Sequence, residues 1–181
     1  MLFKGRIWGN VIKPLFFYLI SILVLSLNGA RVINALLPLR VYHPEEFPFR
    51  GGDFEARFFR SIRIHRWKDY LPQNNRGFNK GKISSFEDPD YIHRFVLHTC
   101  RGETVHFLLG AISFVFVLYG FLAPDWKQGV RLFLILSTIY ACCQLPFIWV
   151  QRYNRPRLIQ LEKAVRRKLA RQTAARKQGA S

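Results

Sequence analysis

The residues best suited to chemistry lie near position 100, in the stretch Thr99 to His106 (TCRGETVH). Glu103 and His106 are three residues apart, so on a helix their side chains are neighbours. A carboxylate beside an imidazole raises its basicity and selects its tautomer, which suits a general base that deprotonates a hydroxyl. The spacing predicts His106 as such a base assisted by Glu103. The alternative is an interfacial pair without chemistry.

The same helix carries a basic face, because Arg94, His98 and Arg101 recur at i, i+4 and i+7. Cys100 lies among these groups, which favour a thiolate, so a nucleophilic cysteine is a second alternative. His98, Glu103 and His106 spread over about 140° of helix, too wide for three ligands of one metal. We therefore expect no metal, and we expect no other cofactor.

A second polar cluster runs from Gln151 to Leu158 (QRYNRPRL). Arginine binds phosphate or carboxylate through two parallel hydrogen bonds, so this cluster is a candidate substrate site. A positively charged anchor at the end of a membrane span is the alternative. The candidate binding residues are Gln151, Arg152, Tyr153, Asn154 and Arg155. Just before them, Gln144 needs a polar partner at membrane depth, and Pro146 is expected to kink its helix.

A third polar segment, Ile64 to Ile83, contains Trp67, Lys68, Asp69 and Lys80. An amphipathic indole is favoured at the level of the lipid headgroups, so Trp67 is expected there. The lysines are expected to face an anionic ligand such as a phospholipid headgroup, and Asp69 to orient one of these bases or His106. The segment then forms an interfacial cap. A solvated basic loop attracted to lipid is the alternative.

These side chains must be positioned by apolar helices. Residues 105–123 and 132–150 are two runs of 19 residues without a formal charge. As helices each spans about 28 Å, close to the hydrocarbon thickness of a bilayer. Residues 10–37 predict a third, tilted span, with a cleaved signal peptide or a re-entrant hairpin as alternatives. Asp88 as N-cap and Pro89 at the first helical position predict a helix that continues into the second span.

The sequence thus predicts an all-α integral membrane protein with about three transmembrane helices and one membrane domain over residues 1–181. The interfacial polar segment, residues 40–104, lies between the first and second spans. The chain has 28 Lys and Arg against 11 Asp and Glu. Leaving aside Arg31 at the interface, 22 basic residues fall on the side of the C-terminus and five on the other, which predicts a cytoplasmic C-terminus in the cell membrane. The N-terminus is then outside, despite Lys4 and Arg6.

The tail, residues 151–181, has ten basic residues and one acidic residue. Its apolar residues recur at near-helical spacing, which predicts a basic amphipathic helix lying on anionic lipid. Beyond Tyr153 it has no aromatic side chain on which bases could stack, so we do not expect nucleic acid as a partner. The apolar residues are Leu158, Leu161, Val165 and Leu169.

The order of these motifs resembles one family of bacterial membrane enzymes, the glycosyl-4,4'-diaponeurosporenoate acyltransferases. The resemblance runs from about Pro44 to Leu161 and rests on WKDYLP, GFNK, DPDY, TCRGETVH and QRYNRPRL. It implies transfer of a fatty acyl chain, from acyl-CoA or a phospholipid, to a lipid or glycolipid hydroxyl such as that of a glycosylated carotenoid. One departure is His98, where the family pattern has an acidic residue.

For such a reaction, the chemistry of the residues predicts that His106 and Glu103 activate the acceptor hydroxyl, while Arg101, Arg152 or Asn154 stabilises the oxyanion. The chain lacks a G-x-S-x-G motif, which argues against a serine acyl-enzyme. Two other classes stay open: a small membrane methyltransferase or reductase acting on a lipid, and a non-enzymatic assembly partner. The substrate-binding set is Trp67, Lys68, Asp69, Lys80, Arg94, His98, Gln151, Arg152, Tyr153, Asn154 and Arg155.

Overall fold

The computed structural model describes residues 2–71 and 88–178, with side chains from residue 12 onward. Its α-helices are α1 (Leu2–Leu36), α2 (Asp53–Ser61), α3 (Ile64–Trp67), α4 (Pro89–Ser113) and α5 (Trp126–Gln178). Short 3₁₀ helices cover Leu39–Val41 and Lys68–Tyr70, and a longer one, Phe114–Leu122, continues α4. The described ranges contain no strand, which confirms the predicted all-α class.

Three helical stretches are long and apolar enough to cross a membrane: Ile12–Leu36, Pro89–Leu122 and Trp126–Gln178. They confirm the predicted membrane protein with about three spans. The helices extend beyond the apolar runs at 105–123 and 132–150. The α4 helix starts at Pro89 as predicted, because the Asp88 carboxylate accepts the Asp90 backbone N–H at 2.9 Å.

The chain forms two compact units. We call residues 1–38 with 104–148 the apolar unit, and residues 39–103 with 149–181 the polar unit. The apolar unit contains α1 and the apolar parts of α4 and α5, and the polar unit contains α2 and α3. The expected single membrane domain over residues 1–181 stays a prediction.

Pairs of hydroxyl groups join the helices of the apolar unit. They link Tyr18 to Ser137 at 3.2 Å, Ser21 to Tyr119 at 3.0 Å and Ser26 to Tyr140 at 3.0 Å. Beside them, Ile33, Val105 and Leu109 form a buried core. Lipid is as apolar as these side chains, so hydrogen bonds and close packing hold such helices together.

The second span changes from α-helix to 3₁₀ helix at Ser113, where the backbone meets α5. The Ser113 carbonyl accepts the Ser137 hydroxyl at 2.8 Å, and both serines are fully buried. The 3₁₀ stretch covers nine residues, although such runs rarely exceed three or four. Near its end, Gly120 approaches the backbone of Gly129 and Val130 so closely that a Cβ atom at either glycine would overlap its neighbour.

The polar unit packs around Phe59, Ile64 and Val150. Trp67 is half-buried against this core, and its indole N–H donates to the Ile62 carbonyl at 3.0 Å. The turn between α2 and α3 places Arg63 in the left-handed region, with φ of 50°. This turn brings the Ile62 carbonyl within reach of the indole.

The basic tail is helical as predicted, but it continues α5 through Pro146 and Pro156 instead of forming a separate helix. Its residues Leu158, Leu161 and Val165 are half-buried, whereas Leu169 is 40% exposed. Ion pairs connect this part of α5 to the start of α4, including Arg166 to Asp90 at 2.9 Å. The apolar side of the tail up to Val165 therefore packs within the polar unit.

The glycine contact generates a stability prediction. In Gly120→Ala the new methyl group meets the Val130 backbone, which cannot rotate away as a side chain does, so we expect a loss of about 1–3 kcal/mol. Thermal unfolding of the purified protein in detergent measures the loss.

Gly110→Ala is the matched control, because its Cβ meets Ala141 at an ordinary 3.5 Å. Alanine also forms helix better than glycine, so this variant is expected to be neutral or slightly more stable. Equal Tm values for the two variants contradict the proposed backbone contact.

Candidate active site

Glu103 lies at the centre of a set of buried charges in the polar unit. One carboxylate oxygen accepts from Arg152 at 2.6 Å and the other from Arg155 at 2.5 Å. Arg152 also donates to Glu55 at 2.5 Å. We call Glu55, Glu103, Arg152 and Arg155 the charge cluster. It joins α2, α4 and α5 and has no net charge.

Arg155 is the most buried member of the charge cluster, with 1% of its surface exposed. Its guanidinium donates to the Thr99 hydroxyl at 3.0 Å and to the Phe49 carbonyl at 2.7 Å, besides Glu103. The Phe49 ring also lies 5.2 Å from the guanidinium carbon. A buried arginine is tolerated only when it is paired and hydrogen-bonded in this way.

Arg152 is less enclosed, with 19% of its side chain exposed, and Glu55 has 28% exposed. The outer edge of the charge cluster therefore reaches the surface, while Glu103 and Arg155 form its interior. Charge-assisted pairs of this geometry are strong and directional, so they fix the helices from which they come.

His106 belongs to the apolar unit, where α5 supplies its contacts. Its Nδ1 lies 2.9 Å from the Gln144 amide oxygen, and its ring stacks on Phe147 with centroids 4.6 Å apart and planes at 11°. An amide oxygen only accepts hydrogen bonds, so this bond requires a proton on Nδ1. In the neutral ring the lone pair then lies on Nε2. Gln144 is 9% exposed and has the polar partner that the sequence predicted it would need.

Glu103 and His106 thus have partners other than each other. The prediction used their spacing on one helix, but α5 supplies an arginine for each Glu103 oxygen and an amide for His106. A carboxylate binds a cationic guanidinium more strongly than a neutral imidazole. The catalytic roles stay predictions, and the orienting group of His106 is Gln144.

Arg101 donates to His98 Nδ1 at 3.0 Å, so two members of the predicted basic face do contact each other. Arg94, the third member, is exposed. Cys100 is fully buried at 0% exposure, which suits a packing residue better than an acyl-carrying nucleophile.

In the segment from Ile64, Lys68 pairs with Asp69 at 2.8 Å. Trp67 packs inward on the core instead of presenting its indole N–H outward. Lys80 and the rest of the predicted cap lie outside the described residues.

The residues from Gln151 to Arg155 differ in environment. The side chain of Gln151 lies against Gly102. Tyr153 packs edge-on against Phe59 and carries the Arg157 guanidinium over its ring at 4.1 Å. Asn154 is half-buried. Tyr153 and Trp67 therefore pack on the same core.

Sequence reasoning missed Glu55 and the Phe49 carbonyl, which complete the charge cluster, and Phe147, which supports His106. No local spacing indicates these contacts, because they join segments far apart in the chain. Gln144 was indicated by its polarity within an apolar run. Among the described residues, no three His, Cys, Asp or Glu side chains converge as metal ligands.

The charge cluster generates a prediction about stability. Glu103→Leu leaves Arg155 buried without its carboxylate, so we expect a loss of about 3–5 kcal/mol in the free energy of unfolding. Detergent-phase thermal unfolding measures it. Glu45→Gln, which removes an exposed pair with Lys163, is the control and is expected to leave Tm unchanged.

The double variant Glu103→Leu with Arg155→Met tests whether the loss comes from the orphaned charge. It leaves the pair of Arg152 and Glu55 intact, so part of the stability of Glu103→Leu is expected to return. An unchanged Tm in Glu103→Leu contradicts the structural role and favours the catalytic role predicted from the sequence.

Known proteins resemble this chain over most of its length. The family model described as glycosyl-4,4'-diaponeurosporenoate acyltransferase matches residues 38–164. A protein of that name from Staphylococcus haemolyticus is 33% identical over 136 residues, covering 70% of this chain and 74% of the relative. One from Staphylococcus aureus is 28% identical over 164 residues, covering 87% and 93%. No solved structure matches the chain.

The family model covers more than half of the chain, and it includes the whole charge cluster together with His106 and Gln144. The chain is an acyltransferase and belongs to the glycosyl-4,4'-diaponeurosporenoate acyltransferase family.

Proposed function

We propose that this protein transfers a fatty acyl chain to a hydroxyl of a glycolipid at the cytoplasmic leaflet of the cell membrane. The relatives are named for a glycosylated carotenoid acid, so the proposed acceptor is a sugar-bearing lipid of that kind. The donor is an activated acyl group, either acyl-CoA or a phospholipid. The single structural observation that carries the chemistry is the hydrogen bond between His106 Nδ1 and Gln144.

In this proposal His106 acts as the general base through Nε2. The acceptor hydroxyl oxygen attacks the acyl carbonyl carbon while its proton passes to Nε2. The tetrahedral intermediate then collapses, the bond to the donor breaks, and the leaving thiolate or alkoxide takes the proton back from the imidazolium. Gln144 holds the proton on Nδ1 throughout, and Phe147 fixes the plane of the ring.

Arg101 is the proposed stabiliser of the oxyanion, a role that rests on its place in the Thr-Cys-Arg motif and on its permanent charge. Its hydrogen bond to His98 restrains the guanidinium. In this proposal His98 does not contact the substrate but positions the guanidinium of Arg101.

Arg152 and Arg155 take a positioning role in place of the predicted direct binding. A substrate phosphate would have to compete with Glu103 and Glu55 for these guanidinium groups, and Arg155 is closed to solvent. The two arginines instead fix the helix segment that carries Gln151, Tyr153 and Asn154. Those three residues, with Lys68, remain the proposed contacts of the substrate headgroup.

The proposed orientation places the C-terminus in the cytoplasm, since ten basic residues follow the third apolar run. The tail residues from 166 to 178 are exposed, and Glu162 is the last acidic residue of the tail. This part of α5 is proposed to bind anionic lipids by charge, because it offers only Leu169 as a large apolar side chain.

His106 and Gln144 give an activity prediction. His106→Ala removes the base, and we expect kcat to fall by about 10²–10⁴-fold. Gln144→Leu keeps the imidazole but removes the group that orients it, so a smaller loss in kcat with little change in KM is expected. Mass spectrometry of the acylated lipid after incubation with donor and acceptor measures the product.

Cys143→Ala is the control, because Cys143 precedes Gln144 but is exposed. It is expected to keep full activity. Unchanged turnover in His106→Ala overturns the assignment of the base. A product heavier by one methyl group, or by two hydrogens, overturns acyl transfer itself.

A further inference from the structure

Three large aromatic side chains of the polar unit are almost fully exposed. Phe47 has 95% of its surface exposed, Phe54 76% and Tyr70 87%. Single exposed apolar residues are common on proteins. Three large exposed rings within 24 residues indicate a binding surface more strongly. The residues next to each ring are held in place, so the rings stay exposed.

The loop around Phe47 is anchored mainly through Phe49, with an exposed ion pair on the other side. Two residues earlier, Glu45 pairs with Lys163 at 2.7 Å. Two residues later, the Phe49 carbonyl accepts from Arg155 at 2.7 Å, and the Phe49 ring packs edge-on against Tyr42 at 5.6 Å. Phe47 therefore projects outward from an anchored loop.

Phe54 lies in the first turn of α2, whose other side packs inward through Phe59. The two residues are five positions apart, so they point about 140° away from each other. Glu55, the next residue, is held by Arg152. Tyr70 ends the 3₁₀ turn after Trp67, which is tied to the Ile62 carbonyl.

The charges around these rings indicate an anionic partner. Arg50, Arg57, Arg60, Arg63 and Arg66 are all exposed on the same stretch. Of its five acidic residues, Glu45, Glu55 and Asp69 are paired with Lys163, Arg152 and Lys68, while Glu46 and Asp53 are exposed. The surface thus combines arginines with aromatic rings.

The lipid headgroup region fits this chemistry best. Aromatic rings and basic side chains are enriched where proteins meet that region. Along the chain this stretch also follows an apolar span closely, since the polar unit begins at Leu39 and the first apolar span ends at Leu36. A protein partner would favour an enclosed apolar patch, whereas these rings lie on a stretch that also carries five exposed arginines.

We propose that Phe47, Phe54 and Tyr70 dock the polar unit on the anionic headgroup region of the bilayer. This is the position that the sequence assigned to Trp67, whose indole instead packs inside the unit. The three rings enter the interface between headgroups and acyl chains, and the arginines bind lipid phosphates. The proposal does not depend on the chemistry of acyl transfer.

Nitroxide labels at single cysteines test the proposal in the full-length protein. Cys142 and Cys143 are replaced by alanine, and Cys100 stays because it is buried. Cysteines are placed at positions 47, 54 and 70 in vesicles of phosphatidylglycerol and phosphatidylcholine. Electron paramagnetic resonance then compares collisions with oxygen, which concentrates in lipid, and with a water-soluble nickel chelate.

We expect oxygen collisions to exceed nickel collisions at all three sites, and the difference to shrink in vesicles of phosphatidylcholine alone. Ala56→Cys is the matched control, because Ala56 is exposed on α2 about 160° from Phe54 and is expected to report water. The replaced rings are exposed, so these variants should fold, which circular dichroism checks.

Two results overturn the proposal. If the labels at positions 47, 54 and 70 collide with the nickel chelate as often as the label at Ala56→Cys does, the rings lie in water. Immobile labels shielded from both reagents place them in a contact with protein, either a second copy of this chain or another partner.

Discussion

The interaction on which the polar unit depends is the double salt bridge of Glu103. A carboxylate and two guanidinium groups are costly to bury, and each is tolerated only because the others neutralise it. Through Arg155 the charge cluster also holds Thr99 and the backbone at Phe49, and through Arg152 it holds α2. The charge cluster therefore fixes segments that are distant in sequence. One of them is the part of α5 that carries Gln151, Tyr153 and Asn154, so the cluster also positions these side chains.

In the apolar unit, His106 is oriented by a different kind of interaction. Its partner is the neutral amide of Gln144, and its support is the ring of Phe147. A neutral partner suits a histidine among apolar helices, because an ion there needs compensation that an amide does not. The salt bridges of Glu103 and the neutral hydrogen bond of His106 are thus separated along α4. Glu103 lies in the polar unit, and His106, three residues later, lies in the apolar unit. Each residue has the kind of partner that its surroundings tolerate.

The sequence predicted what depends on composition and local spacing. Three apolar runs, the N-cap at Asp88 and the helical tail were all readable in this way. The pairing of Glu103 with His106 came from the same kind of rule, which compares only neighbours on one helix. The true partners of Glu103 stand 49 and 52 residues away, and no spacing indicates them. The hydrogen-bond partner of Trp67, the Ile62 carbonyl, was not indicated by the sequence either, and its place at the headgroup level stays a prediction. The 3₁₀ stretch after Ser113 depends on a donor from α5.

The hydroxyl groups of the apolar unit bear on how the helices assemble. Ser26 bonds both to Ile22 of its own helix and to Tyr140, and Ser113 bonds to Gly110 as well as to Ser137. Such a side chain is satisfied by its own helix before any neighbour arrives. A newly made helix can then enter the bilayer alone. Its contacts with lipid are replaced afterwards by contacts with the neighbouring helices. Biogenesis of the bundle can proceed in separate steps of insertion and lateral association, with these serines satisfied at each stage.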